Sequence, residues 1–157
     1  MRPTIISAAL VALAACAPHA GAQAGPADFT GTWAFRTEPF TTDPSSSISG
    51  AAIVTDAGQG HYTIRLVANQ FVAQAPTQPV QAKPCEAVAP QAQLIAAREN
   101  CTGDLHGLQF DISCTMAEPL AHYTPDNFVL QTQNDDTLAG VISSGDDQAQ
   151  ITFSRVR

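Results

Sequence analysis

Lysine is nearly absent from this chain: Lys83 is the only one in 157 residues. Lysine and arginine together number 7 against 14 acidic residues, a net charge of −7. That balance excludes an electrostatic grip on nucleic acid or on anionic lipid. Charged residues of any kind make up only 13% while hydrophobic ones reach 45%, too apolar a mixture for a disordered tail. Past the N-terminus no apolar run approaches the roughly 18 residues that a transmembrane helix needs. There is no C-x-x-C or H-x-x-x-H spacing, so nothing marks a zinc site. His61, His106 and His122 fall in no Ser–His–acid order and read as surface histidines. No repeat, nucleophile motif or cofactor fingerprint is present. What is left is a small, acidic domain, with no cofactor and no catalytic residue expected.

The N-terminus has the layout of an export signal. Met1-Arg2-Pro3 gives a positive start, residues 4–15 are apolar and uncharged, and small residues lead to Ala22-Gln23-Ala24. Two processing sites compete. Cleavage after Ala24 frees a chain beginning at Gly25. Leu13-Ala14-Ala15-Cys16 instead resembles a bacterial lipobox, in which Cys16 carries the lipid and residues 16–26 form a tether. Either route places the domain, residues 27–157, outside the cytoplasm, in the periplasm or on the outer membrane. A lipid at Cys16 is the one membrane contact expected. Loss of residues 1–24 removes one basic group and no acidic one, so the net charge becomes −8.

Cys85, Cys101 and Cys114 remain for the folded domain, enough for one disulfide in an oxidising compartment. A two-residue turn at Gly107-Leu108 pairs 106 with 109 and therefore Cys101 with Cys114. Cys85–Cys101 is the rival bridge. The register favours Cys101–Cys114.

Most of the chain alternates with a period of two. Residues 29–35, 47–55, 61–68, 108–116, 127–133, 137–143 and 149–157 read as half-buried strands, with turns at 56–60, 134–136 and 144–147. Residues 70–90 carry four prolines and read as an extended loop. Residues 90–100 are ambiguous: a strand leading into Cys101, or a short helix over 90–99. The sum is an all-β domain, an antiparallel up-and-down barrel of about eight short strands.

Phe29-Thr30-Gly31-Thr32-Trp33 resembles the G-x-W motif that opens the first strand of lipocalins, avidins and related calycin barrels. The resemblance implies that an arginine of the last strand packs over Trp33 and closes one barrel end, the role that falls to Arg155 with Gly31. Avidins line their biotin site with several tryptophans, and this chain has one. Cys101-Thr102-Gly103, Ile112-Ser113-Cys114 and residues 123–128 (YTPDNF) are also similar to uncharacterised exported proteins of proteobacteria. Size, export and a single disulfide are shared with periplasmic inhibitor barrels.

Candidate chemistry is sparse. Trp33 reads as a cavity floor or a core aromatic. Asp104 and Asp111 flank the 101–114 hairpin as an acid pair or as solvated side chains. Residues 123–128 are the best loop candidate, with Asp126 capping the turn. Asp135-Asp136 and Asp146-Asp147 lie in separate turns, and a calcium site needs many converging oxygens. The expected function is that of a non-enzymatic, envelope-associated barrel that binds a small apolar ligand or serves structurally. The alternative is a periplasmic inhibitor or protein-interaction module, with an enzyme last.

Overall fold

A computed structural model describes residues 28–42, 44–73 and 92–157. Eight strands follow one another: β1 Gly31–Thr37, β2 Ser46–Gly58, β3 His61–Ala73, β4 Ala92–His106, β5 Gln109–Met116, β6 Asp126–Asn134, β7 Thr137–Ser144 and β8 Asp147–Arg155. Each pairs antiparallel with its sequence neighbour, and β8 returns to β1, so the sheet closes into a barrel. Closure leaves no row of unpaired backbone groups at a sheet edge. The described region contains no helix.

Alternation in the sequence becomes alternation across the barrel wall. Tyr62, Ile64, Leu66 and Ala68 on β3 point inward, as do Phe110, Ile112 and Cys114 on β5, while the residues between them face solvent or the half-buried rim. Phe128 and Leu130 on β6 and Ile151 and Phe153 on β8 complete the same core.

The middle of the chain departs from expectation in two places. The alternative of a short helix over 90–99 is wrong for residues 92–99, which are extended. They form the first half of β4, laddered to β3 from Ala73↔Ala92 onward. Local propensity allowed a helix, but β3 offers thirteen consecutive partners, and tertiary pairing overrides a weak preference. By the same ladder residues 70–73, expected in a loop, belong to β3, with Phe71 opposite Leu94. Residues 74–91, including Cys85, lie outside the described residues, as do the export signal and Cys16. Leu108, the first residue of the strand expected over 108–116, sits in the β4–β5 turn at Gly107-Leu108 and is exposed.

The connections define two ends. One holds the β2–β3, β4–β5 and β6–β7 turns and both termini of the domain. At the other lie the β1–β2 connection, the β5–β6 connection and the β7–β8 turn.

Large side chains fill the interior between them. Phe29 stacks on Phe110 at 4.9 Å and Tyr62 meets Phe110 edge-on at 5.2 Å. Higher up, Phe35 and Phe153 stack at 5.0 Å and Phe128 abuts Phe153 at 5.6 Å. Trp33, Ile48, Leu66, Leu130, Leu138 and Ile142 occupy the space around them, each almost wholly buried. Several inward positions must stay without a side chain for this to work, Gly50 beside the Phe35 ring among them. A Cβ on Gly103 would lie 2.6 Å from the Phe110 ring.

Candidate functional site

Two polar arrangements interrupt this apolar interior, one at each end.

At the end bearing the termini, Trp33 and Arg155 are direct partners across β1 and β8. The Arg155 guanidinium carbon stands 4.5 Å from the Trp33 ring centroid, within cation–π range. Its nitrogens donate to three main-chain carbonyls: Nη1 to Thr30, Nη2 to Asp28 at 2.6 Å and Nε to Asp135 at 3.1 Å. The Asp136 carboxylate adds an ion pair at 3.8 Å. Gly31 makes room for this: its φ is +122°, and Arg155 Nη1 lies 3.4 Å from where a Cβ would stand. Trp33 is 1% exposed and its indole N–H donates to the Phe29 carbonyl at 2.9 Å. The arginine thus ties both chain ends and the β6–β7 turn across the floor of the barrel. Trp33 is a core residue beneath it.

The opposite end holds a pair of buried acids. Glu99 faces inward from β4 and is 1% exposed; Asp126 opens β6 and is fully buried. The Asp126 backbone N–H donates to Glu99 Oε2 at 3.2 Å, and the Tyr123 hydroxyl donates to Asp126 Oδ2 at 2.8 Å. Each acid keeps one oxygen with no donor, Glu99 Oε1 and Asp126 Oδ1. Two carboxylates cannot hydrogen-bond to each other without a proton between them. A proton on Glu99 directed at Asp126 supplies the missing bond.

The electrostatics agree. Burial, reinforced by the neighbouring Asp126 charge, pushes the Glu99 carboxyl up to about 8. Burial also raises Asp126, against the opposing hydrogen bonds from Tyr123, Ser144 and Glu99. Burial, then the Asp126 charge, pushes the Tyr123 hydroxyl well above its ordinary value. At neutral pH Glu99 therefore holds its proton, beside an Asp126 whose affinity for one is also raised.

Glu99 also lies beside the disulfide. Cys101 and Cys114 are bonded, directly opposite each other on β4 and β5 with Cα atoms 4.0 Å apart, the pairing that the turn at Gly107-Leu108 predicts. A Glu99 oxygen and the two sulfurs lie within 4.8 Å of one another. Both sulfurs are spent in the bond, so the cluster offers a metal a single carboxylate oxygen.

The remaining candidates lie on the outer wall or in turns. Asp104 and Asp111 do face each other across the β4–β5 ladder. They have different partners: Asp104 accepts from exposed His61, and Asp111 accepts from Gln109 Nε2 at 2.8 Å. His106 and His122 are exposed. Asp135-Asp136 and Asp146-Asp147 occupy turns at opposite ends, too far apart to converge on one ion, and Asp136 is bonded to Arg157. Asp126, expected to cap a turn, instead points its carboxyl into the barrel. Glu99 was missed by the sequence reading. The available signal was parity: once Cys101 faces inward, so must residue 99.

Comparison with known proteins gives a fold. No family model and no curated protein sequence matches the chain. One similar solved structure is described as a de novo designed fluorescence-activating β-barrel. It is 14% identical, superposes with a TM-score of 0.53, and the match covers 82% of this chain and 94% of that one. At that identity the likeness is one of architecture, a closed antiparallel barrel of eight strands.

Proposed function

We propose that this protein is an exported, envelope-located barrel with no catalytic activity, a solid scaffold that offers its outer wall to another envelope protein. One observation carries the reading: large apolar side chains occupy the inward positions from the Trp33 floor to the acid pair. An eight-stranded barrel is just wide enough for side chains to fill it. The space in which lipocalins hold a ligand is taken up here by Phe35, Phe110, Phe128 and Phe153. This weighs against the expected small apolar ligand and toward the interaction or structural role. The Arg155–Trp33 floor supports a lipocalin-like build.

The outer wall of β2, β3 and β4 supports the second half of the proposal. Ile53, Val67, Phe71 and Leu94 are exposed there, with Phe71 and Leu94 side by side across the ladder. A hollow of about 360 Å³ adjoins them, lined by Val67, Ala96, Arg98, Met116, Pro119 and Leu120. The export signal, and at Cys16 the lipobox, would deliver this surface to the envelope.

Two measurements test the reading. Titration of fatty acids, haem and quinones into the purified protein should leave Trp33 emission unchanged; a saturable shift would restore the ligand-binding role. Photo-crosslinkers at positions 53, 67 and 94 should trap one protein partner in intact cells, and Leu94→Asp should abolish the product. Absence of any crosslink at these positions would defeat the scaffold reading. The mass of the mature chain tells a diacylated Cys16 from a free Gly25 terminus, and an unprocessed cytoplasmic chain would refute export.

A further inference from the structure

We propose that Glu99 and Asp126 form a proton-operated latch that holds the β5–β6 connection, residues 117–125, against the barrel mouth. Loss of their shared proton then releases that connection. Three observations converge. Both acids are buried, and each has an oxygen with no donor unless a proton sits between them. The connection is fastened to this pair from inside: Tyr123 is half-buried against the core and donates to Asp126, which itself ends the connection and donates its N–H to Glu99. The outer ties are few. Ala117 N–H donates to the Arg98 carbonyl at 2.9 Å, and Ser144 Oγ lies 3.4 Å from the Thr124 carbonyl.

Among the described residues no cation relieves the pair, and the groups there that act on the two acids are each other, the Tyr123 hydroxyl of the connection and the Ser144 hydroxyl of β7. From β5 the pair meets the disulfide, which does not titrate, and Met116, the direct partner of Glu99. From β3 it meets Leu66, opposite Glu99. Arg98 adjoins Glu99 in sequence but points to the outer face, as does Arg65. With the proton present, the pair is neutral at Glu99 and fully bonded at Asp126. Without it, two negative charges face each other in an apolar interior, and the segment bonded to both of them is the connection. Moving Asp126 outward separates the charges, wets them, and takes Tyr123 from its seat. Leu120, which lines the outer hollow, moves with it.

Amide hydrogen exchange on the intact protein from pH 6 to pH 10, expressed as protection factors, tests this. Protection over residues 117–126 should fall at least tenfold between about pH 7 and 9, while β1 and β8 keep theirs. Glu99→Gln, which donates to Asp126 and cannot ionise, should flatten the transition. Asp126→Asn, which leaves a single acid, should do the same and serves if the first variant does not fold. Tyr123→Phe should lower protection at every pH and, by removing a donor that favours the Asp126 carboxylate, move the midpoint upward. Protection that is constant with pH, or a transition unchanged in both acid variants, would overturn the latch.

Discussion

A single guanidinium does the closing at the Trp33 end. Arg155 satisfies three carbonyls, two in the segment before β1 and one in the β6–β7 turn, so its removal leaves acceptors without donors and uncovers an indole face. Arg155→Ala is expected to cost about 1–2 kcal/mol in denaturant unfolding and to shift Trp33 emission to the red. Unchanged stability and emission would mean that the floor is held by the ladder alone. Gly31 matters for the same reason, since Arg155 uses the room left by its missing side chain. This pair was legible from two short motifs at the chain ends. Strand pairing makes it close: Trp33 and Arg155 are ladder partners, although 122 positions separate them in the chain.

Among the elements, the β4–β5 hairpin shows what local pattern can and cannot fix. Once its turn is placed at Gly107-Leu108 rather than at His106-Gly107, its register sets Cys101 opposite Cys114, because a two-residue turn leaves one pairing. The first half of β4 did not follow. Residues 92–99 carry no strong β-formers beyond Leu94 and Ile95, and only β3 alongside makes them extended. The disulfide staples strands that already pair, and it closes a short loop. Replacing both cysteines with serine is therefore expected to lower stability by about 2–4 kcal/mol, through loss of the constraint on the unfolded chain, while circular dichroism still reports the barrel. Collapse of the β-signal would show instead that the bridge is required to form the hairpin.

For the molecule as a whole, the buried acids set the pH response. Glu99 has a folded-state value of about 8 against an ordinary 4.5, so over that interval the folded protein holds a proton that the unfolded chain has released. Stability from this group is complete below the unfolded value and is lost as pH rises toward and through the folded one. The slope is at most about 1.4 kcal/mol per pH unit for one proton. Asp126 is shifted in the same direction. Urea unfolding between pH 5 and 9 should therefore show the wild type losing stability relative to Glu99→Gln as pH rises; parallel curves would mean that Glu99 ionises equally well in both states.

The sequence by itself determined the closed all-β architecture and the inward and outward faces of most strands, and it favoured the Cys101–Cys114 pairing over Cys85–Cys101. Each rests on a period of two or on a turn a few residues away, and such information is local. The tertiary structure alone decided that apolar side chains of all eight strands meet in the interior and that Glu99 and Asp126 meet inside it. Filling depends on the volumes of side chains from all eight strands at once. An acid pair 27 positions apart exists only because β4, β5 and β6 lie side by side, where removal from water raises the proton affinity of both carboxyls.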